Sequence, residues 1–522
     1  MNSTAIASMS RQIDPRLGTF IFLLFSFLYL FGTLFLLPAT PIFFENDHFI
    51  QMYDSVRMLN GEVLYKDFFQ FTFPGTEIWY LLLFKIFGQR IWLLNATIIL
   101  LGLSITWVIL AISRRLMTGV YVYIAPSIFL FFGFRWYGMD GGHRLFSCLF
   151  AMLAIFFLID RITLARLVAA GAFASLATFF TQNRGLAIFA AIAIFLALEF
   201  CLFRTGDRKR ASPLSLVTFA ASFAIYLALF IAYFIYTAGA STFVGSTLLF
   251  AKNYNADPLN NSNFYFLFWQ SLISGTFNRA SLPVDLFYYL LVPAIYVLPL
   301  LYFVVKRPAN GELWRKVMLL CISGIFLFLA TTGLSSVRLY HVSLPGIILF
   351  ALWVYNSRWR SFGFASTCVV VALSFGLCIW GQFRSYPPIA ELPTGSVVFP
   401  SDVAGERYRW LNENTVPGDL VFEPYRSVVN FPLSVQNPTS FSFLRNSNYT
   451  PPEHVAKVIE QLNSKPPKFI LWDGSWSLEP SQREPGDNLA PLYDHLRRHY
   501  HLRQPFTQIF QFKPEVWERN AG

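Results

Sequence analysis

The feature that most constrains the fold of this chain is a series of long apolar runs. A helix that crosses a bilayer needs about 20 apolar residues, and the sequence contains about eleven runs of roughly that length. They lie at approximately 17–38, 91–112, 118–134, 144–160, 166–181, 186–203, 213–236, 284–305, 316–333, 342–356 and 361–381. Only 13% of the 522 residues are charged, about half the fraction found in soluble globular proteins. The sequence therefore predicts an α-helical polytopic membrane protein.

The connections between these runs predict an orientation. Short cytoplasmic loops are enriched in Lys and Arg, and the basic connections here alternate along the chain. They carry Arg11, Arg16, Arg114, Arg115, Arg161, Arg166, Arg204, Arg208, Lys209, Arg210, Lys306, Arg307, Arg315, Lys316, Arg358 and Arg360. This pattern predicts a cytoplasmic tail over 1–16, and it places the loop after the first helix and the C-terminal segment on the exported face. The first run is longer than a signal-peptide core and lacks a small-residue cleavage site, so we expect a retained helix.

After the last run the composition changes, and residues 385–522 are expected to form a soluble α/β domain on the exported face. Strands are predicted at 396–400, 419–423, 468–472 and 507–512, and helices at 405–412, 452–463 and 488–499. From residue 386 onward there are 13 basic and 15 acidic residues. The net charge of +11 therefore arises from the membrane part, where it reflects topology and gives no support for nucleic-acid binding.

The first exported loop, predicted over 39–90, contains a stretch that is too polar for hydrocarbon and too aromatic for a free linker. Apolar residues at three- and four-residue spacing predict a helix over 49–59 lying on the membrane surface, and a second such segment follows Pro74. Five charged residues of the loop are expected where membrane meets water, within reach of a lipid headgroup. They are Asp47, Asp54, Lys66, Asp67 and Glu77. Asp47 is either an N-cap that accepts the free amides of the first turn, or a catalytic base, or both. Asp67 alone is typical of a turn residue.

Three further exported segments carry polar residues. The loop over 135–143 contains Asp140 and His143 among three glycines, which allow a tight turn and close backbone approach. Arg184, Arg338 and His341 lie near helix mouths, where an arginine either snorkels or contacts a phosphate. The long connection over 239–283 has the length of a lid or substrate loop. A lone His is only a weak signal for a metal site. All five cysteines fall in apolar runs, so no zinc-type cysteine pair is predicted.

The order of these motifs resembles the GT-C glycosyltransferases, in particular the protein-mannosyltransferase and lipid A aminoarabinose transferase superfamily with its uncharacterised bacterial members. The resemblance rests on the order of seven features along the chain. The first three are Asp47 after the first helix, the segment Gly61-x-x-x-Tyr65-x-Asp67-Phe68-Phe69 and Pro74-Gly75. The other four are the Gly-rich second loop, Gln182-Asn183-Arg184-Gly185, Arg338-x-x-His341 and the terminal α/β domain. It spans nearly the whole chain, 17–384 being the expected transmembrane glycosyltransferase domain. One departure is His48, because the family usually has an acid after the Asp.

The resemblance implies transfer of a hexose or pentose from a polyprenyl-phosphate sugar to a lipid, glycan or protein acceptor, with inversion. Asp47 is then the general base, and Asp140 positions the acceptor or a cation. His48, Asp67 and His143 are supporting residues for the acceptor or a metal. Arg184, Arg338 and His341 bind the donor phosphate. A divalent metal ion is left open as a cofactor, because His48 replaces the usual acid. The implied location is a bacterial inner membrane.

Two other classes of protein fit parts of the sequence. A transporter or flippase of lipid-linked sugars predicts inverted repeats, broken helices and ionisable residues near the bilayer midplane. The carboxylates instead gather in exported loops, which favours chemistry at the surface. A polysaccharide ligase or polymerase would place its key residues in a late exported loop, and 239–283 keeps this alternative open.

Overall fold

The computed structural model describes residues 14–202, 211–262, 264–306, 311–476, 486–508 and 513–520. Most of the predicted tail over 1–16 and the end of the predicted strand over 507–512 lie outside these ranges. The α-helices are Pro15–Leu34, His48–Leu59, Gly75–Phe87, Trp92–Ser113, Ile124–Ser127, His143–Leu158, Leu164–Phe180, Gln182–Leu202, Pro213–Ala238, Ala240–Val244, Ala251–Ala256, Pro258–Asn261, Phe264–Ser274, Leu282–Leu286, Val292–Lys306, Gly311–Leu329, Ser336–Val342, Leu344–Asn356, Arg360–Gln382, Asp402–Asn414, Pro452–Ser464 and Ala490–His499. A 3-10 turn (Gly119–Tyr123) and three π-helical segments (Ile128–Gly138, Gly245–Leu249 and Phe287–Leu291) complete the helical part.

Each of the eleven predicted apolar runs overlaps a helical segment, although several extend beyond its ends. In the described residues, six helices are long and apolar enough to cross a membrane. A seventh is formed if Ser336–Val342 and Leu344–Asn356, which meet at a bend of 68°, are one broken span. Three other apolar helices are shorter: His143–Leu158, Leu164–Phe180 and Leu282–Leu298. The chain is therefore a polytopic helical protein, with fewer full-length spans than the eleven runs predicted.

The chain divides into two compact units. The first comprises Met1–Leu34, Ala96–Phe230 and Asn263–Arg384, and it contains most of the apolar helices. Within it, Arg315 forms a buried ion pair with Glu199 at 2.9 Å and donates to the carbonyls of Leu158 and Ile159. This arginine, which the sequence placed in a cytoplasmic connection, therefore links helix Gly311–Leu329 to the ends of helices His143–Leu158 and Gln182–Leu202.

The second unit comprises Phe35–Asn95, Ile231–Ser262 and Ser385–Gly522, so the first loop and the C-terminal segment fold together. Their backbones are joined directly: Val398 N–H donates to Pro41 O at 3.0 Å, and Phe43 N–H donates to Val398 O at 2.8 Å. The first loop contains the two predicted helices, His48–Leu59 and Gly75–Phe87, which pack against each other.

A four-stranded mixed sheet forms the centre of the C-terminal segment. Val421–Phe422 runs parallel to Phe469–Asp473, which pairs antiparallel with Pro514–Arg519, which in turn pairs antiparallel with Tyr500–Pro505. The aromatic core beside it includes Trp472, Trp476 and Tyr493.

The strand predictions for this segment were confirmed only in part. The strand predicted over 396–400 is present but shorter, as Gly395–Val397, and it pairs with Ala390–Leu392 in a hairpin. Of the strand predicted over 507–512, residues 507 and 508 are not in a strand and the rest lie outside the described residues; the structure has strands on either side, Tyr500–Pro505 and Pro514–Arg519. The first of these was missed because it follows helix Ala490–His499 without a break and is largely exposed, so it lacks a clear apolar alternation.

Candidate functional site

Asp47 immediately precedes helix His48–Leu59, as predicted, but its carboxylate makes no capping hydrogen bond to the first turn. Of the roles that the sequence left open for Asp47, the N-cap is therefore not the one that the structure has. Its backbone N–H is bound by Asn46 Oδ1 at 2.8 Å. Its carboxylate accepts instead from Arg426 Nη1 at 3.4 Å, and 40% of its side chain is exposed. A carboxylate that is exposed and not used as a cap can meet a substrate hydroxyl.

Asp47 belongs to a chain of charges that the sequence did not reveal. Arg426 Nη2 donates to Glu45 Oε1 at 2.8 Å. Glu45 Oε2 in turn accepts from Arg407 and from the hydroxyl of Tyr408, the latter at 2.7 Å. Burial alone would raise the pKa of Glu45, but the positive charges of Arg407 and Arg426 outweigh it and lower the pKa to about 2. Glu45 is therefore a permanent anion that fixes both arginines.

The network ends at Glu423, which accepts from Arg407 Nη1 at 3.3 Å and from the backbone N–H groups of Val428 and Val429. Burial raises the pKa of Glu423 to about 7, although Arg407 opposes this shift. Glu45, two residues before Asp47, could have been noticed as a second acid of the motif. Arg426 carries no sequence signal, since it is 379 residues away from Asp47.

His48 and Asp67 lie in the same unit as Asp47, but in different surroundings. His48 is fully buried, its ring lies edge-on to Phe44 and Phe49, and its Nε2 is 3.2 Å from Phe44 O. Asp67 is exposed and accepts from the backbone N–H of Val63 at 2.7 Å. Asp67 therefore closes a turn, as the sequence favoured.

Two loop acids that were expected at the water interface are instead buried. Asp54 and Glu77 are both 0% exposed, and Gln70 Nε2 donates to both, at 3.1 and 3.3 Å. Burial raises the pKa of Asp54 to about 7 and raises the pKa of Glu77 well above its ordinary value. Because both side chains are fully enclosed, neither acid can contact a lipid headgroup.

In the first unit, Asp140 is held by its own glycine-rich loop. Its Oδ1 accepts from Gly142 N–H at 2.8 Å, and its Oδ2 pairs with Arg144 Nη1 at 3.0 Å. The side chain is almost completely buried. His143 begins the next helix, and its Nδ1 is 2.8 Å from Thr181 Oγ1.

Three of the predicted residues meet beside Asp140. The buried Arg184 donates to Arg144 O at 3.2 Å, and it lies within electrostatic reach of Arg144, Arg338 and Asp140. Arg338 donates to the carbonyls of Thr332 and Gly333. His341 is buried and interacts electrostatically with Arg184 and Asp140. Arg144, Arg184 and Arg338 outnumber the single carboxylate of Asp140 in this cluster, so it is net positive and suits an anion such as a phosphate.

The residues predicted to serve a metal do not form a ready cation site. In the described ranges no three His, Cys, Asp or Glu side chains form a group that could hold a metal ion. Both oxygens of Asp140 are already engaged, and His48 is enclosed by aromatic rings.

No protein-family model and no curated protein sequence matches the chain, but several solved structures do. ArnT from Cupriavidus metallidurans bound to undecaprenyl phosphate is 11% identical with a TM-score of 0.58, over 97% of this chain and 99% of that one. The oligosaccharyltransferase of Archaeoglobus fulgidus, tethered with an acceptor peptide, is 12% identical with a TM-score of 0.50, over 97% of this chain and 74% of that one. The mycobacterial arabinofuranosyltransferase AftD is 11% identical with a TM-score of 0.50, over 98% of this chain and 40% of that one.

These proteins are GT-C glycosyltransferases, and at such low identity the likeness concerns the fold. The full-length match to ArnT covers both the helical part and the C-terminal segment. The chain therefore has the fold of the GT-C membrane glycosyltransferases.

Proposed function

We propose that this protein transfers a sugar from a polyprenyl-phosphate donor to an acceptor on the exported side of a membrane, with inversion. The observation that carries the proposal is the full-length likeness to ArnT, a structure bound to undecaprenyl phosphate. The net positive cluster of Arg144, Arg184 and Arg338 supports it, because a lipid phosphate needs such a partner.

In this mechanism Asp47 acts as the general base. The acceptor hydroxyl attacks the anomeric carbon while its proton passes to the Asp47 carboxylate. The bond from the anomeric carbon to the phosphate oxygen breaks, and its electron pair remains on the polyprenyl phosphate. A single displacement inverts the anomeric centre. Arg426 and Glu45 orient the base.

Arg184 and Arg338 stabilise the negative charge that develops on the departing phosphate, with His341 beside them. Such charge is stabilised more strongly in a partly dry site than in water. Asp140 positions the acceptor through the Gly-rich loop that contains it. His143 holds the helix that follows this loop. Whether the sugar is a hexose or a pentose is decided by the donor that turns over.

The test is incubation of the purified chain in nanodiscs with polyprenyl-phosphate hexoses and pentoses and a crude envelope extract as acceptor. We expect release of polyprenyl phosphate, and a product whose anomeric configuration is opposite to that of the donor. A product of retained configuration would contradict the single displacement, and no turnover of any donor would contradict the proposal.

One observation favours a second candidate, a flippase of lipid-linked sugars. Helix Ser336–Val342, which carries Arg338 and His341, meets Leu344–Asn356 at a bend of 68°, and broken helices are common in transporters. A flippase would move a fluorescent lipid-linked sugar between the leaflets of sealed vesicles without releasing polyprenyl phosphate.

A further inference from the structure

A polar cavity lies in the second unit. It has a volume of about 510 Å³ and is lined by the C-terminal end of helix His48–Leu59, by the turn that follows it, and by residues of the C-terminal segment. Asp47 does not line the cavity; the lining residues of this helix begin at Tyr53. Its volume falls within the usual range for small-molecule sites.

The lining has a composition that points to an uncharged polar ligand. Its charged residues are two cations, Arg57 and Lys465, and two anions, Glu62 and Asp67. Most of the other polar lining residues are amides and hydroxyls. Because the charges balance, the cavity does not favour a phosphate or an acidic group. Side-chain amides and hydroxyls supply both donors and acceptors, as a polyhydroxylated molecule requires.

Several of these polar groups are available to a ligand. The side-chain amides of Asn60, Gln89 and Gln436 line the cavity and have no hydrogen-bond partner in the described part of the chain. The fully buried Asn430 donates to the carbonyls of Val421 and Val435, but its Oδ1 has no partner among the described residues.

The wall that carries these groups is already rigid. Asn437 N–H donates to Tyr53 Oη at 2.7 Å, and Ser440 N–H donates to Gln461 Oε1 at 2.9 Å. The buried Arg57 donates to Thr439 O at 3.0 Å, while its ion pair with Glu62 fixes its other edge. A preformed wall lowers the ordering cost of binding.

We propose that this cavity is a binding site for a neutral oligosaccharide, distinct from the reacting centre. It adds a carbohydrate site to the proposed transferase and does not depend on the transfer chemistry. Free amides from three separate segments then bind the ligand's hydroxyl groups, and the site holds a glycan while the reaction takes place elsewhere.

The experiment is saturation-transfer NMR and calorimetry on the full chain in nanodiscs, without any donor. The probes are maltotriose, cellotriose and mannotriose, with glucose 6-phosphate as a charged probe. We expect at least one trisaccharide to bind, and the double variant Asn60→Ala, Gln436→Ala to lose about tenfold in affinity because two hydrogen bonds are removed. Gln436→Trp fills the cavity and abolishes binding.

The matched control is Asn463→Ala, which removes an exposed amide that does not line the cavity, and which should bind as the wild type does. The proposal is overturned if no trisaccharide binds, if only glucose 6-phosphate binds, or if the cavity variants bind as well as the wild type. Since no donor is present, these outcomes are independent of whether the protein transfers a sugar.

Discussion

Arg426 Nη1 lies 3.4 Å from Asp47 Oδ1. The same guanidinium contacts Glu45 through its other terminal nitrogen at 2.8 Å. The proposed base is therefore oriented by a cation that an anion in the same loop holds in place. This contact links the first loop to the C-terminal segment of the same unit. The C-terminal segment therefore contributes to the proposed active site.

Loss of this orientation should reduce turnover more than it reduces stability. We expect Arg426→Ala to lower kcat by about 10–100-fold, since small misplacements of a catalytic group are that costly, and Arg426→Lys to recover part of it. Arg503→Ala removes an arginine whose side chain is 58% exposed and paired with Glu518, and should leave kcat unchanged. Equal kcat values for wild type and Arg426→Ala would show that the contact does not orient the base.

The buried acid Asp54 predicts how stability depends on pH. Its folded pKa of about 7 lies above its ordinary value of 3.8, so the folded state binds the proton more tightly than the unfolded state. Protonated Asp54 makes its full contribution to the free energy of unfolding below about pH 4, and this contribution is lost as the pH rises to about 7. Glu77 is shifted in the same direction and extends the loss to higher pH.

We therefore expect the apparent Tm of the wild type to fall as the pH rises from about 4 to about 7, and the fall to be smaller in Asp54→Asn. Thermal unfolding in detergent at several pH values measures this difference. The exposed Asp494 provides the matched control, because Asp494→Asn should follow the wild-type curve. A variant curve parallel to the wild type would mean that Asp54 is ionised in the folded protein.

Substitution of Arg338 should weaken binding of the donor more than it slows proton transfer to Asp47. In Arg338→Gln we expect the KM for the polyprenyl-phosphate sugar to rise about tenfold, as one charge-assisted hydrogen bond is lost, with a smaller change in kcat. The exposed Arg358 gives the comparison variant Arg358→Gln, which should keep the wild-type KM. Steady-state kinetics over donor concentration checks this, and an unchanged KM would remove Arg338 from the phosphate site.

The parts of the fold that the sequence predicted are those with a local physical signal. Apolar runs placed the helices, and three- and four-residue spacing predicted the helices His48–Leu59 and Gly75–Phe87. Asp47 before the first of them, and Asp140 among glycines, were found for the same reason.

The partners of these residues were not predictable, because they come from distant segments. Nothing near Arg407 or Arg426 in the sequence indicates that they bind Glu45. Asp54 looked like a surface acid because its neighbours alternate as in an amphipathic helix. Its burial depends on Gln70 and Ser442, which lie 16 and 388 residues away.

The most direct test of the central claim is release of polyprenyl phosphate by Asp47→Asn. The purified variant, the wild type and Asp494→Asn are incubated in nanodiscs with a synthetic polyprenyl-phosphate sugar and an envelope extract, after equal thermal stability has been confirmed. We predict that Asp47→Asn loses at least about 100-fold in rate, as expected for removal of a general base, while Asp494→Asn retains the wild-type rate. Full turnover by Asp47→Asn would contradict the assignment of Asp47 as the base.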